Sequence, residues 1–332
     1  MTASGKLVLL SRDYDRTRAL VDGRGRLGGG EFAFEVADSA PETFRRVRRD
    51  DDVVAGEMSL GFHVASVAAG DTSFVGLPVF LSRSFRHGNV FVRQDSELSD
   101  FGDLRGRRVG LEEYAMTMGT WVRSLFADAG LSPSEIRWHT ARNPVVAPEV
   151  EARLAAQIDL QRVESGTLWQ LLERGDLDAV IGRPPDHRQV DRGPFRRLLR
   201  DHWTAQRRYF SDTGVFPIMH LVVVRRRDYE AEPTIATALF ECFSKAKSIA
   251  EDELRTNLNT LPAMLPMLEQ HVAETDELFG TDWWPYGVDR NRDTLDRFIR
   301  YSHDQGLIER RLDVDELFCP ETYPLAEHYD EV

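Results

Sequence analysis

Between Leu77 and His87 the chain reads LPVFLSRSFRH, an apolar run that breaks into Ser82, Arg83, Ser84, Arg86 and His87. Two guanidiniums, two hydroxyls and an imidazole therefore stand close together at what reads as a strand exit. Arginine forks match a carboxylate bidentately, and histidine is the side chain most easily poised to carry a proton near neutral pH. A carboxylate binder beside a proton donor points to chemistry on an acid. Arg83 and Arg86 are the candidate clamps and His87 the favoured proton donor. If the segment stays extended, Arg83 and His87 share a face with Phe85, while Arg86 points with Ser82 and Ser84.

Other residues compete for the same chemistry. The polar stretch Asp13–Thr17 follows the first apolar run. Arg16 there is a further candidate for a carboxylate, and Asp13 or Asp15 for accepting a hydroxyl proton or holding an arginine. An Asx-turn with an internal ion pair explains the same residues. Glu57 closes the third strand candidate, with Ser59 two residues later on the same face. The pair suits hydrogen bonding to a hydroxylated ligand, and a buried structural glutamate paired with an arginine is the alternative. Glu113, Tyr114 and Thr117 precede a helix whose first free N–H groups favour an anion; Thr117 can equally cap that helix. Arg183, just past a short apolar run and ahead of Pro184 and Pro185, is a further ligand contact. His220, which ends GVFPIMH, is the rival to His87 as proton donor.

The elements that must position these residues alternate in type. Strand-length apolar runs occur at Lys6–Leu10, Glu31–Ala37, Val53–Leu60, Phe74–Leu81, Asn89–Val92, Arg108–Leu111, Ile136–Thr140, Ala179–Ile181 and Met219–Val224. Arg12–Arg18 reads as a loop, as does the glycine run Gly28–Gly30, which lacks the strand–GxGxxG–helix context of nucleotide binding. Helices are expected from Pro41 to Arg49, with proline in the first turn, from Thr117 to Ala129 and from Gly166 to Glu173, and the C-terminal part reads as mostly helical. The alternation is α/β. It predicts a bilobed clamshell of two mixed sheets flanked by helices, with residues 1–93 and 221–332 in one lobe and 94–220 inserted as the other. The cleft then gathers strand ends from both halves.

Composition narrows the partners. A chain of 332 residues with a formal net charge of -13 is larger than one usual core. Its acidity argues against nucleic acid or an anionic membrane as the main partner. Cys242 and Cys319 lack CxxC spacing, and the histidines lack HxH or HExxH spacing, so no disulfide framework and no metal site is expected. No stretch approaches the roughly 20 apolar residues of a membrane span, and the start lacks the apolar core of a secretory signal. A cytoplasmic homo-oligomer acting on a small molecule is the expectation.

The motifs DYDRT (Asp13–Thr17), EMSL (Glu57–Leu60), LPVFLSRSFRH, DLRGRRVG (Asp103–Gly110), EYAMT (Glu113–Thr117), the RPP after Ile181, GVFPIMH (Gly214–His220) and WPYGVDRNRDTL (Trp284–Leu295) together resemble the 4,5-dihydroxyphthalate decarboxylase family. The resemblance runs from about Leu7 to Thr322 and is weakest over Ala141–Leu160. It implies a type II periplasmic-binding-protein-like fold and conversion of 4,5-dihydroxyphthalate to protocatechuate and CO2. Direct loss of CO2 would leave an in-plane aryl carbanion with no electron sink. The accessible route protonates the ring carbon first, with a para phenol pushing electron density onto it, and needs no organic cofactor. It asks for a cationic carboxylate clamp, a proton donor, groups that hold the phenols and a cavity that excludes water. A non-catalytic clamshell that binds a small acid is one alternative; a lyase of the same fold acting on a different ring acid is another.

Overall fold

The computed structural model describes residues 7–25, 32–142, 148–186, 188, 190–258 and 263–325. Gly28–Gly30, read above as a loop, lies outside them. The first sheet contains β1 (Leu7–Ser11), β2 (Phe32–Val36), β3 (Val53–Ser59), β4 (Phe74–Arg83) and β11 (Ile218–Arg225). Its order is β2-β1-β3-β11-β4, with β1 parallel to β2 and β3, and β11 antiparallel to both of its neighbours. β4 is an edge strand, which is why it tolerates Pro78 and its missing N–H.

The second sheet runs β10 (Phe195–Arg197), β5 (Val90–Arg93), β9 (Ala179–Ile181), β6 (Arg108–Leu111), β7 (Arg137–Thr140) and β8 (Asp159–Arg162). β5 pairs antiparallel with β9 and β10, and the rest of the sheet is parallel. This corrects the expected division of the chain. Val90–Arg93, assigned above to the first lobe, belongs to the second sheet, and Ile218–His220, assigned to the second lobe, belongs to the first. The chain crosses earlier in both directions, because the apolar runs on either side of Arg86 and Pro217 pair with different sheets.

Helices cover both sheets: α1 (Asp15–Val21), α2 (Ala40–Arg49), α3 (Leu60–Ala68), α4 (Thr117–Asp128), α5 (Pro148–Gln157), α6 (Leu168–Arg174), α7 (His202–Thr213), α8 (Arg226–Ala231), α9 (Thr234–Thr256), α10 (Leu268–Phe279) and α11 (Arg292–Asp304). α1 lies inside the segment read as a loop. Its Thr17, Ala19 and Leu20 are buried while the charged positions between them face outward, and so short an amphipathic turn is hidden among charges. α5 falls within Ala141–Leu160, where the resemblance is weakest. α9 packs its apolar face with α1 against one face of the first sheet, and α2, α3 and α11 contribute to the core on the other. No helix among the described residues is long and apolar enough to cross a membrane.

Two close approaches set the geometry of the first sheet's upper edge. A methyl group on Gly56 would stand 2.5 Å from Val47 Cγ2 and 2.7 Å from the Leu10 carbonyl oxygen. Leu10 and Val47 are themselves buried, so the close contacts lie within packed core. Gly56→Ala is therefore expected to destabilise the fold by about 1–3 kcal/mol, the usual range for overpacking a close-packed site. An unchanged urea midpoint would show that this packing is looser than described.

Candidate active site

At the C-terminal end of β3 a fully buried carboxylate collects three donors. Glu57 Oε1 accepts from Tyr14 Oη at 2.6 Å and lies 2.6 Å from His220 Nδ1, while Oε2 accepts the Arg12 backbone N–H at 3.1 Å. Register explains the meeting. Glu57 opposes Val222 across β3 and β11, and His220 opposes Ser59, so His220 is the diagonal neighbour on the face of Glu57. β11 also changes register against β4 on both sides of His220, the kind of irregularity that re-aims a side chain. Burial opposes ionisation of Glu57, but the bonds from His220 and Tyr14 and the Arg12 N–H outweigh it and hold the carboxyl below its usual range. Burial, then the charge of Glu57, pushes the Tyr14 phenol well up. Tyr14 thus stays a neutral donor. With Glu57 ionised, the proton shared with His220 sits on Nδ1 and leaves Nε2, which makes no hydrogen bond among the described residues, as the working nitrogen. The edge of Phe44 stands against the imidazole at 5.0 Å between ring centres.

The expected alternative for Glu57, an arginine partner, is replaced by histidine and tyrosine. Tyr14 was missed in the sequence because the charged residues on either side of it drew the chemistry. DYDRT carried the signal, since an aromatic residue set between two aspartates marks the position that turns inward, and Tyr14 is half-buried between exposed Asp13 and Asp15.

The cationic candidates separate by their acceptors. Arg83 is buried but tied to scaffold: Nη2 donates to the Pro285 carbonyl at 2.9 Å and to Asn291 Oδ1, and Nη1 to the Phe216 carbonyl at 3.4 Å. Arg86 is 3% exposed and among the described residues finds only Met219 Sδ at 3.2 Å, Asn89 Oδ1 at 3.3 Å and Met118 Sδ at 3.8 Å. Burial lowers Arg86 to about 9, and Arg183 adds to the effect, so the group is charged at pH 7 with no carboxylate beside it. Arg183 itself is exposed and makes no ion pair among the described residues. Two neighbouring cations without an acid form a site that an anion would complete.

Ser82 opposes His220 on β4. Ser59 and Thr117 share a hydrogen bond of 2.8 Å, and Thr117 Oγ1 also accepts the Gly61 N–H at 2.9 Å. The first residues of α3 and α4 therefore meet across the two sheets. Thr117 does not cap α4; Met116 holds the cap position and makes no side-chain cap bond.

Four further expectations are corrected. Asp15 is exposed and paired with Arg16 at 2.9 Å. Arg16 turns away from Glu57, donates from Nε to the Leu81 carbonyl at 3.0 Å and lies over the Tyr14 and Trp284 rings. Tyr114 is fully buried in the second lobe beneath the Arg123 guanidinium, 3.9 Å from its ring centre. His87 is buried against Tyr209, with ring centres 5.1 Å apart, and its Nδ1 has no partner. The anticipated pairing of Arg83 with His87 fails because β4 ends at Arg83 and the chain turns into a short 3-10 segment at His87, so strand alternation stops between them. The structure therefore brings together Glu57, His220, Ser59, Thr117 and Ser82 at one edge, with Arg86 and Arg183 beside it. Among the described residues no group of three or more His, Cys, Asp or Glu side chains is placed to hold a metal ion.

Comparison with known proteins adds a family and a fold. A 4,5-dihydroxyphthalate decarboxylase from Comamonas testosteroni is 33% identical over 314 residues, spanning 93% of this chain and 94% of the relative. One from Pseudomonas putida is 35% identical over 178 residues, 51% of this chain and 67% of the relative. No family model matches the chain. Among solved structures, the periplasmic aliphatic sulphonate binding protein SsuA from Escherichia coli superposes with a TM-score of 0.53 at 14% identity, covering 95% of this chain and 98% of that one. The periplasmic sulfonate-binding protein SsuA from Methylobacillus flagellatus gives 0.52 at 14% identity, covering 98% and 94%. The fold is that of a periplasmic binding protein.

Burial holds two histidines neutral. His87 is pushed down to about 4, with His202 adding to the effect, and His63 to about 4 although the Leu317 carbonyl favours its proton. Both titrate near 6.5 when unfolded. Their stabilisation is therefore complete above pH 6.5 and is lost as pH falls towards 4, roughly 2 kcal/mol for each between pH 7 and pH 5. Denaturation of His87→Gln should show a smaller loss of stability over that interval than the parent. An identical loss would mean that His87 is not desolvated.

Proposed function

Because the chain belongs to the 4,5-dihydroxyphthalate decarboxylase family, we propose that it is a carboxy-lyase that converts 4,5-dihydroxyphthalate to protocatechuate and CO2 by protonating the ring before CO2 departs. The observation that carries the mechanism is the Glu57–His220 bond, which fixes the imidazole through Nδ1 and leaves Nε2 without a partner among the described residues, turned to the ligand as the nitrogen that delivers the proton. That choice replaces His87, whose buried, neutral ring is unsuited to donate near pH 7.

The route balances simply. A phenol para to the departing carboxylate pushes electron density onto the carbon that bears it; His220 Nε2 protonates that carbon; the C–C bond then breaks with its electrons returning to the ring. The substrate dianion and one proton become the protocatechuate anion and CO2. Arg86 and Arg183 bind the carboxylate that stays. Ser82 and Ser59 lie along the same edge as contacts for the catechol hydroxyls. Tyr14 acts one step removed by orienting Glu57, so it is a positioning residue.

Purified protein incubated with 4,5-dihydroxyphthalate in deuterated water should release CO2 and give protocatechuate with deuterium at the vacated carbon. His220→Gln should reduce kcat by about 10²- to 10⁴-fold, the span of a lost general acid, with little change in KM. Arg86→Ala should instead raise KM strongly. Binding without turnover by the parent protein would overturn the decarboxylase reading in favour of a small-acid binder. Equal, small effects of the two substitutions would show that the site lies elsewhere.

A further inference from the structure

Phe44, whose ring meets that of His220, also lines a cavity of about 360 Å³ between α2, α3, the loop 112–116 and the end of α11. Phe44, Met58, Phe62 and Met116 give it an apolar wall. Four arginines line it against two glutamates: Arg45, Arg48, Arg49 and Arg142, with Glu112 and Glu113. Glu112 is taken by Arg142 at 2.7 Å, and Arg45 lies 4.0 Å from Glu42. Arg48 rests over the Phe62 ring at 4.6 Å. Arg48 and Arg49 make no ion pair among the described residues. In a chain of net charge -13, a hollow lined by four arginines against two glutamates is locally cationic.

We propose that this cavity is a docking site where an aromatic carboxylate is captured before it passes Phe44 to reach His220; the identity of that acid as the substrate rests on the decarboxylase reading. The volume is at the lower end of that of small-ligand sites, about 300–1,000 Å³, and suits a single ring. Position supports the role. Ser59 and Phe44 border the cavity and also touch the catalytic groups, Ser59 through Thr117 and Phe44 through the His220 ring. The ring packs against the apolar wall while a carboxylate meets Arg48 and Arg49. Their charge focuses dianions from solvent, and the effect weakens as salt screens it.

The test uses the full chain with Arg48→Glu and Arg49→Glu combined. Both side chains are exposed, so folding should be retained, which a melting curve verifies. Arg207→Glu combined with Arg208→Glu, two exposed arginines on α7, controls for net charge. At low ionic strength kcat/KM for 4,5-dihydroxyphthalate should fall by about tenfold in the double variant, within the range of electrostatic steering, with kcat within about twofold and the salt dependence flattened. Calorimetric titration with phthalate, which lacks the hydroxyls needed for reaction, should show about tenfold weaker binding in the same variant and no change in the control. Parent-like kcat/KM and phthalate affinity would overturn the docking site while leaving the decarboxylase intact. Absence of turnover in the parent, with phthalate binding still dependent on Arg48 and Arg49, would retain the docking site and remove the decarboxylase.

Discussion

The upper edge of the first sheet depends on one buried carboxylate. Removing a charged group from water costs several kcal/mol unless its lone pairs are satisfied. Glu57 therefore makes the positions of its donors obligatory rather than optional. Those donors come from three places: the end of β1 through the Arg12 N–H, the start of α1 through Tyr14, and β11 through His220. One group thus aligns the first strand, its following helix and the returning antiparallel strand. The imidazole inherits its orientation from that requirement, so its Nε2 is placed before any ligand arrives, which is the condition for electrostatic preorganisation.

Burial alone does not identify a functional cation here. Arg83 and Arg86 are both nearly inaccessible, and burial lowers both to about 9. The difference lies in what they meet. Carbonyl oxygens and an asparagine hold Arg83 as a strut between β4 and the segment preceding α11. Arg86 has two thioethers and one amide oxygen, which are poor substitutes for a carboxylate. Most other arginines on this acidic chain sit in surface ion pairs that contribute little each. Arg86 and Arg183, with no ion pair among the described residues, stand beside the Glu57–His220 edge, so an acidic protein still offers an anion a cationic place there.

Much of the fold was legible because strand-length apolar runs with polar breaks survive in the sequence almost unaltered. β6 and β9 match their apolar runs residue for residue, and α4 begins at the expected threonine. The inserted sheet was less so at its margins. The run Val90–Arg93 carries no mark of which sheet it joins, since that choice is made by distant partners at β9 and β10. At the site, Glu57, His220, Ser59 and Thr117 were visible as residue types at strand and helix ends. Their mutual bonds were not, because the pairing of β11 with β3 that sets His220 diagonally from Glu57 joins residues 163 positions apart. Arg16 and Tyr114 misled for the same reason: a charged or phenolic residue beside a motif can turn to either side of the sheet, and only packing chooses.

Gly61 has one backbone N–H, and in this structure a hydroxyl from the other lobe already holds it. A methyl group at that position would lie 3.0 Å from the same Thr117 oxygen, so the two helix starts are as near as their backbones allow. An anion seeking the first turn of α3 must take that donor from Thr117. Occupancy of the helix start and contact between the lobes are thus rivals for a single proton, and the clamshell's own latch is a competitive ligand of the place where an acid would sit.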